Sequence, residues 1–156
     1  MECLYSTSII YTFEEYKRFN IKALFTRNRI IRYIAIEAFI IVAAFLMSSF
    51  LLLVYAFIYP IILLLLPVFQ NLHSKKVWNT NKSMQNMNVK YDFYNTYFIE
   101  NDDNGETKLE YKKLYKIIET KTNFYLMISK NQGFLLNKSN FPKGLDDFLR
   151  NIKISK

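Results

Sequence analysis

With 156 residues the chain has the length of one domain, yet its apolar residues are gathered into one block. The uncharged run from Ala38 to Phe69 far exceeds the ~20 residues of one membrane span, and it starts too late for a cleavable signal peptide, so an ordinary soluble protein is excluded. The net charge of +8 lies partly beside that run and forms no Arg-rich, aromatic-interleaved clusters, which argues against nucleic acid as a partner.

Tyr5 to Tyr11 is β-branched and aromatic and predicts a short strand. Thr12 and Glu15 then form a capping box, with Glu14 also favourable near the positive end of a helix. Phe13, Tyr16, Phe19, Ala23 and Leu24 recur at helical spacing and leave Lys17, Arg18 and Lys22 on other faces. Such a helix either lies on a membrane surface or packs its aromatic stripe on a soluble domain. The second reading is preferred, because small domains need that cover.

Ile30 to Phe69 as one helix would be about 60 Å long, twice the ~30 Å hydrocarbon thickness. Tilt does not absorb such a difference, so two spans are expected, at about residues 30–48 and 51–69. The turn falls at Ser48-Ser49, the only polar pair in the block, and Pro60 provides a tolerated break in the return helix. Arg27, Arg29 and Arg32 precede the block and Lys75 and Lys76 follow it, so the positive-inside rule puts both termini in the cytoplasm of a multi-pass cell-membrane protein. Glu37 lies five residues beyond Arg32 and is expected to reach the headgroup region by snorkelling. Residues from His73 to Met87 continue the second helix or form a linker, and Trp78 anchors at the interface or packs.

From Val89 the pattern alternates with period two. Phe93, Asn95, Tyr97 and Ile99 share one strand face and Leu109 and Tyr111 another, joined by a three-residue loop Asp103-Asn104-Gly105 that pairs Ile99 with Leu109 and gives Gly105 the left-handed position of a bulge. A further strand is expected over residues 114–121. A second hairpin, with the loop Asn131-Gln132-Gly133, sets Ile128 opposite Leu136. Leu145, Phe148, Leu149 and Ile152 mark an amphipathic C-terminal helix started by Pro142 and Gly144.

The chain resembles the YcxB-like family of small bacterial membrane proteins. The resemblance is carried by YTFEEYKRFN (Tyr11 to Asn20), by the stretch from Leu109 to Phe141, and by GLDDFLRNI at the C-terminal helix. It implies an α+β membrane protein: a two-helix transmembrane hairpin with a cytoplasmic, PH-like antiparallel β domain capped by a C-terminal helix. The expected parts are residues 1–29 (cytoplasmic strand and helix), 30–70 (hairpin) and 71–156 (PH-like domain). Similar sequences commonly have proline where Asn137 stands, which loosens that turn here. The resemblance implies no activity and no ligand.

Catalysis is not expected. Cys3 and His73 are the only residues of their kinds and lie outside the strand set without a metal or nucleophile spacing, and no glycine-rich phosphate loop occurs. No cofactor is expected. The expected function is a non-catalytic, membrane-tethered interaction module whose partners are the lipid bilayer and another membrane protein or a peptide. Lys112, Lys113, Lys116 and Lys121 are the candidate surface for a protein, peptide or lipid headgroup. The alternatives are immunity against a membrane-active bacteriocin and an accessory subunit of a transporter.

Overall fold

The computed structural model describes residues 2–103 and 105–154, the side chain of Arg27 excepted. It is α+β. The chain divides into two units, Met1–Phe19 with Trp78–Lys156, and Asn20–Val77.

The first unit holds two antiparallel sheets. One has the order β1 (Tyr5–Ile10), β2 (Asn88–Phe93), β3 (Tyr97–Asp102), β4 (Gly105–Glu110); the other has the order β5 (Lys116–Glu119), β6 (Asn123–Met127), β7 (Gly133–Asn137). The N-terminal strand therefore folds with residues that lie beyond the hydrophobic block, pairing Ile9 with Val89 and Tyr5 with Phe93. The period-two pattern of β2 buries Val89, Tyr91 and Phe93 completely, and Phe98, Phe124, Leu126, Leu136 and Leu145 complete the centre of one core.

Helix α1 (Phe13–Leu24) starts as its capping signal predicts, with the Glu15 N–H donating to Thr12 Oγ1 at 3.3 Å. Its aromatic stripe packs on the first unit: Phe19 meets Tyr125 edge-on, and Phe13 and Tyr16 flank Trp78. That cover explains why all five residues of β6 are buried, since alternate side chains of a strand point to opposite faces. The final helix α4 (Leu145–Asn151) buries Leu145 and Leu149 and leaves Phe148 and Ile152 half-buried. Gly144 caps it with φ 93°, and a Cβ there would stand 3.2 Å from the Tyr5 hydroxyl.

Three pairings depart from the sequence expectation. Residues 93–99 are not one strand: the chain reverses at Tyr94–Thr96, and Phe93 pairs with Phe98. The turn resets which side chains face inward, so Phe98, not Tyr97 or Ile99, is the buried residue. The β3–β4 register follows, with Phe98 opposite Leu109 and Ile99 opposite Lys108. Gly105 opens β4 opposite Asp102 at φ 142°, rather than sitting in a bulge, and Asn104 lies outside the described residues.

In the second hairpin Phe124, not Ile128, faces Leu136, and Leu126 faces Phe134. Ile128 is exposed in a five-residue loop, residues 128–132, where its N–H and that of Ser129 both donate to the Gln132 carbonyl. Gly133 opens β7 opposite Met127, where a Cβ would approach the Leu126 carbonyl oxygen to 2.8 Å. The slip is an even number of residues, so the inward faces are preserved. Strand β5 is also shorter than the expected 114–121, and Tyr111–Lys113 form a 3-10 turn ahead of it.

The second unit is helical, with α2 (Arg27–Leu46) and α3 (Phe50–Thr80) separated at the predicted serines. Ser48 takes φ 47°, its N–H donates to the Phe45 carbonyl and the Ser49 N–H donates to the Ala44 carbonyl. This is the Schellman arrangement, in which a left-handed residue satisfies the last carbonyls of a helix. Helix α3 runs beyond the expected residue 69 to Thr80, 31 residues, with Pro60 and Pro67 both inside it. Each proline leaves the carbonyl four residues earlier, of Ala56 and Leu63, without a helical donor.

Among the described residues, one helix, α3, is long and apolar enough to cross a membrane. The final eighteen residues of α2 carry Arg29, Arg32 and Glu37. Glu37 shares the less exposed face of α2 with Tyr33, Ile40 and Ala44, and its Oε2 is buried without a hydrogen-bond partner, as is Asn71 Oδ1 on α3.

Candidate functional site

The four candidate lysines fall into different surroundings. Lys112 and Lys113 project from the 3-10 turn after β4 and share one carboxylate, with Nζ distances of 2.7 and 4.0 Å to Glu110. Lys116 opens β5, its Nζ 5.7 Å from the Tyr115 ring centroid, and Lys121 is exposed in the turn beyond the opposite end of that strand. The structure thus brings Lys112 and Lys113 together on Glu110 and places Lys121 apart from them. Glu110 is held below its ordinary value, first by its hydrogen bond to Lys112 and then by the lysine charges.

The basic flanks of the hydrophobic block all lie in the helical unit. The Arg29 guanidinium donates to the Ala23 carbonyl in the last turn of α1 at 3.0 Å, where the helix dipole is negative. Arg32 donates to the Asn28 carbonyl at 3.4 Å, and Lys75 and Lys76 are exposed on α3. The side chain of Arg27 lies outside the described residues.

A groove of about 510 Å³ opens beside the C-terminal helix of the first unit. Its floor consists of Tyr111, Phe148 and Ile152, and its rim includes Asn95, Lys112 and Lys153. Tyr111 is fixed twice: its N–H donates to the Thr96 carbonyl at 3.1 Å and its hydroxyl to the Tyr94 carbonyl at 2.7 Å. Burial pushes that phenol well above its ordinary range. Phe148 is held by Tyr5, Phe93 and Tyr111, with ring centroids at 5.3, 6.4 and 6.1 Å. The floor is therefore rigid, apolar and aromatic. Its one signal in the sequence was the width of the α4 stripe: Leu145 and Leu149 fill the core, and the remaining pair, Phe148 and Ile152, lines the groove.

A second polar centre joins α1 to the three-stranded sheet. Glu15 is buried and accepts from Asn123 Nδ2 at 2.6 Å, Asn137 Nδ2 at 3.1 Å and Arg18 Nη1 at 3.2 Å. Its carboxylate is thereby drawn to the sheet, so only the Thr12 half of the capping box forms. Asn137, at the position where proline was expected, also accepts from the Ser139 N–H at 2.9 Å and so closes its own turn. Burial and then the Glu15 charge push the Tyr125 phenol up to about 12. The two amides and the Arg18 guanidinium all donate to this one carboxylate, which ties α1 to the three-stranded sheet.

Residues 93–152 match the family described as YcxB-like protein. Over this stretch the chain is similar to that family. No curated protein and no solved structure matches the chain. The YcxB-like stretch begins at the last residue of β2 and takes in β3 to β7 and α4, so it contains Asn95, Tyr111, Lys112 and Phe148 of the groove. Strand β1, helix α1 and the two long apolar helices lie outside it.

Proposed function

We propose that the protein is a non-catalytic, membrane-tethered interaction module: a two-span hairpin in the bacterial cell membrane that presents a PH-like domain at the inner face. The observation that carries this reading is the uncovered apolar surface of α2 and α3. Phe45, Leu46, Met47 and Phe50, around the turn, are 74, 82, 71 and 77% exposed. No part of the best apolar window of α3 is buried. In water such a surface costs about 25 cal/mol per Å² and exceeds the patch a soluble monomer tolerates, whereas in lipid the cost vanishes.

The turn at Ser48-Ser49 returns the chain to the side it came from, and Arg29, Arg32, Lys75 and Lys76 fit anionic headgroups on that side. Both termini are then cytoplasmic. A four-stranded and a three-stranded antiparallel sheet followed by a C-terminal helix support the PH-like assignment. Fold alone names no ligand, so the role rests on recognition by the domain surface.

The test is fractionation followed by labelling. The protein should stay with membranes through an alkaline carbonate wash. Cys3, exposed and the only cysteine, should react with an impermeant maleimide only after the cells are opened. Release by carbonate, or labelling of Cys3 in intact cells, would refute the proposed anchoring and topology.

A further inference from the structure

The groove beside α4 has polar groups that are unevenly committed. Its acid, Glu110, is already engaged by Lys112 and Lys113, and Asn151 spends its amide on the Asp147 carbonyl at 2.9 Å. Lys153 is exposed and has no partner among the described residues, and an ammonium such as Lys112 has three donors, only one of which Glu110 needs. Beside the neutral Asn95 and Thr96, the only charge the rim still offers is positive, above a floor of Tyr111, Phe148 and Ile152. A fitting ligand therefore combines carboxylates with a bulky apolar group.

The adjoining strand indicates the form of that ligand. β4 is the last strand of its sheet, paired on one side with β3 only, and Glu110 at its end is a wall of the groove. Alternate backbone N–H and C=O groups along such an edge point away from the sheet, and an extended chain can pair with them. A lipid headgroup has no row of amides to use there.

We propose that β4 and this groove bind an acidic peptide in extended form. Its main chain pairs with the free edge of β4, a bulky apolar side chain rests on Phe148 and Ile152, and its carboxylates meet Lys112 and Lys153. The proposal rests on the reading of the domain as an interaction module and identifies where that module recognises its partner.

The full chain, reconstituted in zwitterionic nanodiscs, is panned against a phage-displayed random peptide library. Enriched peptides should combine an aromatic or large aliphatic residue with flanking Asp or Glu. Their affinity should fall at least about tenfold, or 1.4 kcal/mol, for Lys153→Glu, which reverses the free rim charge, and for Asn95→Trp, which fills the mouth. Both positions are exposed, and melting temperatures equal to the parent's would show the fold intact. Absence of enriched peptides, enrichment of basic ones, or equal binding by both variants overturns the proposal. So does loss of peptide binding when phosphatidylglycerol is added to the nanodisc, which would assign the rim to lipid. Failure of the membrane reading is distinct: the protein would then not assemble into nanodiscs at all.

Discussion

Asn123 donates its side-chain amide to Glu15 at 2.6 Å, joining residues 108 positions apart. Both are buried, and Asn137 reaches the other carboxylate oxygen at 3.1 Å. Helix α1 is thus tied to β6 and β7 by a charged acceptor with two amide donors, beside the aromatic contact of Phe19 with Tyr125.

Removing that acceptor strands the buried amide of Asn123 and frees the half-buried one of Asn137. Glu15→Ala should destabilise the protein by about 2–3 kcal/mol, the cost of losing charge-assisted bonds and leaving a buried donor unpaired. Glu15→Gln keeps an acceptor and should lose less. Thermal melts of the full chain in detergent test the order; an alanine variant as stable as the parent would show the centre to be incidental.

Glu119 gives a pH dependence of definite sign. The Arg150 guanidinium and then the Lys138 ammonium hold its carboxyl at about 2, against an ordinary 4.5. A depressed carboxyl stabilises the fold above its unfolded value and loses that contribution as pH falls towards 2. The melting temperature of Glu119→Gln should therefore lie below the parent's at pH 7, and the difference should close between pH 4.5 and 2.

Glu100 should behave in the opposite way. Burial raises its carboxyl above 4.5 even though the Tyr91 hydroxyl donates to it at 3.2 Å. The folded state then binds the proton more tightly than the unfolded chain, and stability declines as pH rises through that window. Glu100→Gln keeps an acceptor for Tyr91 and removes the buried charge, so it should melt higher than the parent at pH 7. That advantage should disappear below pH 4.5.

Ser48 holds the turn between α2 and α3 at φ 47°, a region that costs a residue with a Cβ about 1 kcal/mol. Ser48→Gly should relieve that cost and raise the melting temperature of the helical unit in detergent or bilayers. Ser48→Val, β-branched at the same φ, should lower it. If the glycine variant melted lower, another interaction of the serine would outweigh the backbone term.

Local chemistry was enough to locate several elements. Thr12 starts α1, the Ser48-Ser49 pair interrupts an apolar run too long for one span, and the spacing of Leu145, Phe148, Leu149 and Ile152 describes α4. Each depends on neighbours within about one helical turn, so sequence spacing carries the information. The YcxB-like resemblance was likewise readable from residue order.

The tertiary structure decided what depends on distant partners. The reversal at Tyr94–Thr96 resets strand parity, so Phe98 turns inward to Phe93 and Tyr97 does not. Glu15 leaves its own helix start for Asn123 and Asn137, because in a dry interior a carboxylate is held by the donors that surround it, wherever they lie in the chain. The groove exists because α4 supplies more apolar surface than the core covers, leaving Phe148 and Ile152 to line it with Glu110 at the end of β4. Periodicity can mark such residues as apolar, but packing alone decides which of them remain open to a partner.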